Sequence, residues 1–429
     1  GYDRIRDAFR SKSEIAYQGA VQRLDNKRTH LKQNPKPADN AAVPEFKRMP
    51  PAVWIGPSAL TNPCPVTDME QLSNRLSKVF SDYPELFNHC VKVYQKRVDY
   101  YRLTSEGQKI LQPDTAFHIT ARASIKTDGN EVKTEYYRLH VGGINDLPSE
   151  DALIGELHQF AQYMRQKSRA KAVEDLYIGP VLYEDDAAME LLARKIADHS
   201  HSYWISIRNQ SDRKHRYLGK QVFPPALSVC QLGSDSVYNG VKLLGYRQVD
   251  ADGTKPMTLP IIEKGILKHM LTGRTPSLGC PASTGNEHFD GLSRSLETRY
   301  IAGVFHVTSN RPVPYSKLYK RFLKAAKKAG LEHTYIIRKN RTSPYALIRV
   351  DLSTGKEELV EGNYNAPSRE QFKRMHAISK EENVYNLDPA GGKGLGIISP
   401  KAILLEDMEL DITPSRARHI DEAFYELRH

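Results

Sequence analysis

The spacing of apolar residues changes along the chain, and this change limits the folds that the chain can adopt. Apolar side chains recur at helical spacing in residues 2–33 and again in 66–90, on either side of a Pro-rich linker at 34–51. From residue 91 the period becomes two, which is typical of half-buried strands. Three antiparallel strands are predicted in this region: 91–107, 116–126 and 131–141.

Strand-like segments also dominate the chain after residue 177, with no regular alternation of strand and helix. A polar-capped helix is predicted at about 149–171, and further helices at about 185–198, 316–329, 368–380 and 415–427. The pattern predicts an α+β protein, with N-terminal helices packed on an antiparallel sheet and a larger β-rich part behind them. We expect an N-terminal domain at 1–175, with a helical insertion at about 1–90, and a C-terminal domain at 176–429.

The net charge of +11 raises the question of an anionic partner. The densest basic segment is 316–331, which reads as a helix with Ser316 as its N-cap and Gly330 just after its end. We expect a surface helix with solvated lysines. A nucleic-acid interface is the less favoured alternative, because no aromatic-rich strand pair or recognition-helix motif accompanies the segment.

The cysteines and the apolar runs exclude several classes of protein. Four cysteines occur, at positions 64, 90, 230 and 280, without a C-x-x-C pair, which argues against a zinc ribbon or a disulfide scaffold. No apolar run approaches the roughly 20 residues that span a bilayer. The chain begins at Gly1 inside an amphipathic segment, so a removed leader is an expectation and the compartment stays open.

The stretch at 178–196 reads as an apolar strand, a cluster of carboxylates and then a helix. Glu184, Asp185 and Asp186 stand where the helix dipole favours negative charge, so helix capping explains them and catalysis is the alternative. His199 and His201 form an H-x-H pair at the predicted helix end, either as ordinary surface histidines or as metal ligands.

Two glycine-containing segments are candidates for ligand-binding loops. The segment "GCPASTGN" (279–286) is either such a loop or a tight surface turn. The segment "AGGKGLG" (390–396) lacks the spacing of a phosphate-binding loop and is rejected.

Five segments, taken in order, resemble the TldD/PmbA family, whose members are described as metallopeptidases and as modulators of DNA gyrase. They are "YIGPVLYEDDAAMELLARKI" (177–196), 245–274, "STGN" (283–286), 357–379 and 398–410. The N-terminal helix resembles a subgroup that carries an extra helical insertion.

The resemblance implies that the usual metal ligands are missing. In active TldD-like members a helix bearing H-E-x-x-x-H supplies two histidines, and a distant cysteine completes the metal site. Aligned on "GPVL", this chain has Tyr183 and Ala188 at the histidine positions and keeps only Glu184, the vestigial position of the general base. The cysteine would fall near 386–396, where there is none.

The resemblance therefore implies a non-catalytic subunit that binds an extended peptide or an active TldD-like partner, or that forms a homodimer. The expected substrate-binding residues are Asp185, Asp186, Ser283, Thr284, Gly285 and Asn286. No metal or other cofactor is expected, unless the alignment at 183–188 is wrong, in which case zinc is expected.

Two alternatives stay open. One is an active peptidase in which Glu184, Asp185 or Asp186 works with His199 or His201. The other is a basic nucleic-acid-associated module, which we consider the weaker of the two. The insertion-bearing subgroup favours a location outside the cytoplasm.

Overall fold

Nine stretches of the chain are described by a computed structural model. They are residues 1–33, 49–127, 131–200, 214–274, 282–289, 298–300, 303–343, 345–387 and 394–412. The predicted helix at 415–427, most of the linker at 34–51 and most of the turn at 127–130 lie outside these stretches.

Six α-helices are described. They are α1 (Tyr2–Gln33), α2 (Val66–Ser77), α3 (Glu150–Ser168), α4 (Asp186–Ser200), α5 (Tyr315–Lys328) and α6 (Arg369–Lys373). The hydroxyl of Ser149 caps α3 by accepting a hydrogen bond from the amide of Ala152. None of the described helices is both long enough and apolar enough to span a membrane.

Three helix predictions need correction. The helix at 66–90 ends at Ser77, because a 3₁₀ turn follows and a strand begins at Phe87. The helix at 368–380 is a single capped turn, after which residues from Met375 onward pair with another strand. The N-cap of α5 is Pro314 rather than Ser316, since the fixed φ of proline suits the start of a helix.

The first sheet has five strands and carries the N-terminal helices. Its strands are β1 (Val53–Ile55), β2 (Phe87–Leu103), β3 (Lys109–Lys126), β4 (Val132–Val141) and β16 (Thr342–Ser343). Strands β2, β3 and β4 pair antiparallel, as predicted, and α2 and α3 cover one face. Strand β16 comes from much later in the chain and pairs with β4, which ties the two halves of the molecule together.

The second sheet has seven strands. They are β5 (Lys171–Ala172), β6 (Asp175–Asp185), β15 (His333–Lys339), β17 (Ala346–Asp351), β18 (Glu357–Glu361), β19 (Met375–Ile378) and β22 (Ala402–Ile412). Strand β6 is central, parallel to β15 on one side and antiparallel to β22 on the other.

The third sheet has six strands. They are β7 (Leu227–Gln231), β10 (Leu259–Glu263), β11 (Ile266–Leu267), β14 (Val304–Ser309), β20 (Glu382–Leu387) and β21 (Leu395–Pro400). Two short pairs complete the described strands: β8 (Val237–Tyr238) with β9 (Val241–Lys242), and β12 (Glu287–Phe289) with β13 (Thr298–Tyr300). The predicted α+β class, with a β-rich C-terminal part, is confirmed.

The second half of strand β6, from Gly179 to Glu184, is buried on both faces. Consecutive side chains of a strand point to opposite sides, so they enter two different cores. Val181 and Tyr183 enter the main core, which they share with α4 and strands of the six-stranded sheet. Leu182 enters a second core, where the seven-stranded sheet packs against Leu318 and Phe322 of α5. The end of β6 is therefore held from both sides.

We expect Phe322→Ala to lower the free energy of unfolding by about 3–5 kcal/mol, because Phe322 is completely buried and its removal leaves a cavity. Urea denaturation measures this change. Lys324→Ala on the exposed side of the same helix is the control and should change the value by less than about 0.5 kcal/mol. Equal losses in the two variants would show that α5 is not packed as described.

Candidate functional site

Strand β6 turns directly into α4 at a pair of aspartates. Asp185 has a φ of 53°, in the left-handed region that aspartate tolerates better than most residues, and this allows the abrupt change from strand to helix. Its amide donates a hydrogen bond to the carbonyl of Lys401, and the ammonium of Lys401 lies 3.6 Å from its carboxylate. Asp186 accepts a hydrogen bond of 2.8 Å from the amide of Arg341. Burial raises the pKa of Asp186 to about 6.

Glu184 lies on the α5 side of the sheet and is 2% exposed. Arg338 donates to one carboxylate oxygen at 2.7 Å, and the hydroxyl of Tyr315 donates to the other. Arg338 also donates a hydrogen bond to Glu357 of β18, and Glu357 accepts another from the hydroxyl of Tyr319 in α5. The carboxylate of Glu184 is thus engaged inside the protein, and its assignment as a vestigial general base stays a prediction.

Tyr183 and Ala188, the aligned histidine positions, lie together in the main core on the opposite face of the sheet from Glu184. Tyr183 is 3% exposed and Ala188 is fully buried. The hydroxyl of Tyr183 has no hydrogen-bond partner in the described part of the chain. Burial raises the pKa of Tyr183 well above its usual range, so the phenol stays protonated.

A third carboxylate, Glu190, lies one helical turn after Asp186 on α4. It pairs with Lys339 and accepts hydrogen bonds from the hydroxyls of Tyr345 and Tyr385. Burial alone would raise the pKa of Glu190, but the Lys339 ammonium and these hydrogen bonds outweigh it and hold the pKa below its ordinary value. Sequence reasoning missed Glu190. The spacing of four residues from Asp186 was the available signal, since such residues share a helix face.

Asp185, Asp186 and Glu190 line one wall of a cleft of about 500 Å³. Two strands face each other across this cleft, through residues 138–141 of β4 and 383–387 of β20. Consecutive residues of a strand point to alternate faces, so a cleft lined by every residue of such a run must face the edge of the strand. The cleft is therefore bounded by two strand edges.

The two edges run in the same direction. At one end, Arg341 links the amide of Arg138 on β4 to Asp186, and Lys401 links Asp185 to the residue before β20. At the other end, Lys242 pairs with Asp146 beyond β4, and its carbonyl accepts a hydrogen bond from Asn386 of β20. In places the Cα atoms of β4 and β20 lie within 8 Å of each other, which is closer than an inserted strand requires.

The predicted STGN residues form a tightly bonded turn in a different part of the structure. Thr284 exchanges hydrogen bonds with Thr272, and the amide of Asn286 pairs with that of Gln231. Gly285 has a φ of 75°, and a Cβ there would lie 2.4 Å from the carbonyl oxygen of Lys255. Residues 283–286 are not among those that line the cleft beside Asp185 and Asp186. The substrate-binding role of all six predicted residues stays a prediction.

The alternative site with histidines is not described. His199 lies near the end of α4, but only its backbone is described, and His201 lies outside the described residues.

Three comparisons place this fold among known structures. The chain is similar to a candidate modulator of DNA gyrase from Thermotoga maritima, with 13% identity and a TM-score of 0.56 over 81% of this chain and 74% of that one. A candidate modulator of DNA gyrase from Bacteroides thetaiotaomicron gives 13% identity and a TM-score of 0.58, over 89% and 80%. TldE from Thermococcus kodakarensis gives 12% identity and a TM-score of 0.53, over 88% and 81%. No curated protein sequence matches the chain significantly.

These similarities define the class of the fold, which is that of TldE and the two gyrase-modulator candidates. Residues 178–306 match the PmbA/TldA metallopeptidase C-terminal domain, and this match confirms the resemblance to the TldD/PmbA family seen in the sequence. The matched segment begins in β6 and includes the strand-to-helix junction.

The family name implies a metal ion, and the residues at the aligned positions do not fit one. Ala188 has no donor atom, and Tyr183 is a protonated phenol enclosed by apolar side chains. Among the described residues, no group of three or more His, Cys, Asp and Glu side chains is arranged to hold a metal ion.

We expect Asp186→Asn to change how stability depends on pH. Burial gives Asp186 a folded-state pKa of about 6, against about 4 in the unfolded chain, so the folded protein holds the extra proton between about pH 4 and 6. The contribution of Asp186 to stability is therefore complete below about pH 4 and is lost as the pH rises through about 6. The variant should be more stable than the wild type by about 2–3 kcal/mol at about pH 8 and lose this advantage toward about pH 4. Urea denaturation across this range measures the difference, and a difference that does not vary with pH contradicts the prediction.

Proposed function

We propose that the chain is a non-catalytic TldD/PmbA-like protein that binds an extended peptide in the cleft between β4 and β20. The observation that carries this proposal is the outer edge of β20, which lines the cleft beside the β6–α4 junction. Strand β20 is the last strand of its sheet, and β16 pairs with β4 only at Tyr136 and Tyr137. The outer edge of β20 thus offers backbone groups to a ligand, as far as the described residues extend, whereas the amide of Arg138 on β4 already donates to the carbonyl of Arg341.

A peptide binds such an edge through its main chain. Alternate residues of an edge strand direct their N–H and C=O groups outward, where a peptide can continue the hydrogen-bonded ladder. Strands β4 and β20 approach within 8 Å between Cα atoms in places, which is less than the roughly 9–10 Å that a strand inserted between two edges needs. A peptide would therefore pair with the outer edge of β20.

The junction supports a role without metal-dependent hydrolysis. The aligned ligand positions hold a buried phenol and an alanine, and Glu184 faces the other side of the sheet. A carboxylate bound by Arg338 and Tyr315 is poorly placed to activate water above the core face.

The partner in this proposal is a TldD-like subunit or a second copy of the chain. One structural relative is a TldE, and a chain without metal ligands can contribute one wall of a shared chamber while its partner supplies the chemistry.

Hydrolysis without a metal is the second candidate function. Asp186 and Glu190 lie one turn apart in the cleft, and their environments shift the two pKa values in opposite directions. Such a pair is typical of general acid and general base roles. However, the carboxylate of Asp186 already accepts a hydrogen bond from the amide of Arg341, and that of Glu190 accepts three, from Lys339, Tyr345 and Tyr385. An ordinary structural network therefore explains both pKa shifts.

We expect an unfolded, fluorescently labelled peptide to bind, and its affinity to depend on main-chain hydrogen bonds. Methylation of alternate backbone nitrogens should weaken binding by at least about tenfold when the methylated nitrogens face the edge of β20. A peptide methylated on the other set of nitrogens is the control and should bind normally. Fluorescence anisotropy measures both affinities. Unchanged binding of both methylated peptides would exclude pairing with either edge.

We expect Asn383→Trp to reduce this binding about tenfold or more, because Asn383 lines the cleft and the indole ring would fill part of it. Asn363→Trp adds the same ring at an exposed position outside the cleft lining and should leave binding unchanged. Circular dichroism checks that both variants fold. Equal affinities of the two variants would place the peptide elsewhere.

We expect the purified protein to bind less than stoichiometric zinc and to show no peptidase activity that a chelator removes. Elemental analysis and peptide cleavage with and without the chelator measure these properties. The double variant Tyr183→His with Ala188→His should gain weak zinc binding but little activity, since two imidazoles are fewer than the three protein ligands of a usual catalytic zinc site. Stoichiometric zinc in the wild type together with chelator-sensitive cleavage would overturn the proposal, whereas cleavage that survives the chelator would favour the second candidate.

A further inference from the structure

The N-terminal helix α1 has an exposed apolar stripe that the described structure does not cover. None of its 32 residues is buried. Ile5 is 60% exposed and Phe9 is 70% exposed, which is unusual for such side chains. Because helices in proteins gain most of their stability by packing an amphipathic face, a helix of this length favours a partner surface.

The apolar side chains of α1 are concentrated on one side. With about 100° between successive residues, seven of them lie within about 60° of Phe9. They are Tyr2, Ile5, Phe9, Ala16, Ala20, Leu24 and Leu31. This set, which we call the Phe9 stripe, runs from the first turn of the helix to the last.

The charges of α1 are sorted around this stripe. Eight Lys and Arg residues occur in α1 against four Asp and Glu. Four cations lie within about 60° of Phe9, with Lys27 in line with it: Arg6, Lys12, Arg23 and Lys27. The other four lie about 100–140° away, where the carboxylates balance them: Arg4, Arg10, Arg28 and Lys32. All four carboxylates lie on the far side, about 120–160° from Phe9: Asp3, Asp7, Glu14 and Asp25.

We propose that α1 is an interfacial helix that binds a phospholipid surface carrying anionic headgroups. The Phe9 stripe enters the boundary between headgroups and acyl chains, and the cations beside it reach the lipid phosphates by extending along the apolar surface. The carboxylates then point into water, away from the anionic surface. This surface is independent of the peptide cleft.

Two other partners fit the charge pattern less well. In a pair of α1 helices packed through their Phe9 stripes, the cations of one copy would face those of the other. The carboxylates lie on the far side of each helix and could not neutralise these facing cations. A nucleic acid would satisfy the cations, but its phosphate backbone offers nothing to a stripe of Ile, Phe, Tyr and Leu side chains.

The experiment is co-sedimentation of the full chain with vesicles of phosphatidylcholine, with and without phosphatidylglycerol. We expect binding to the anionic vesicles that is at least about tenfold stronger than to phosphatidylcholine alone and that falls as salt is added. Ile5→Ser should weaken binding several-fold, because Ile5 belongs to the Phe9 stripe. Ile15→Ser is the matched control: Ile15 is 61% exposed, almost the same as Ile5, but lies about 120° from Phe9.

Circular dichroism of both variants checks that α1 remains helical. Absence of binding to the anionic vesicles overturns the proposal, as does equal binding to both kinds of vesicle. Equal weakening by Ile5→Ser and Ile15→Ser also overturns it, because the stripe would then have no special role. A dimer that Ile5→Ser disrupts, found in place of vesicle binding, would identify a second copy as the partner. Duplex DNA binding in place of vesicle binding would identify a nucleic acid.

Discussion

The burial of β6 on both faces is the constraint on which the rest of the structure depends. This strand pairs with β15 and β22 along its two edges, while the main core and α5 cover its two faces. From Gly179 to Glu184 each side chain is therefore assigned to one face or the other by its position alone, whereas Leu176 and Ile178 earlier in the strand are exposed. Tyr183 must enter the main core, and Glu184 must point toward α5, where only an ion pair makes its burial tolerable.

This constraint gives a physical reading of the missing metal ligands. A buried ionised carboxylate needs donors, and Glu184 has them in Arg338 and Tyr315, which belong to β15 and α5. On the other face, the place of two imidazoles is taken by a tyrosine ring and a helical methyl group that pack among apolar side chains. Both faces of the junction are thus stabilised by interactions that need no metal.

Much of the fold follows from local patterns, whereas the cleft does not. The period of two predicted β4 to within one residue, but it placed the start of β3 at 116 rather than at Lys109. The predicted polar-capped helix at about 149–171 corresponds to α3. The pattern failed where a short apolar run suits either structure: residues 375–378 were predicted as helix but pair with β22. The cleft joins residues of β4, α4, the end of β15 and β20, which are far apart in the sequence. No local period carries that information, because the contacts arise only when three sheets assemble.

The electrostatics of the cleft bear on how it would recognise the peptide proposed above. Glu190 is neutralised by Lys339, Asp185 lies beside Lys401, and Asp146 lies beside Lys242. A ligand side chain that sought one of these charges would first have to displace its partner, so charge recognition gains little here. The peptide binding proposed above relies instead on the outward backbone groups of β20, and every peptide carries the complementary groups. A peptide bound in this way would be selected for its extended conformation more than for its sequence.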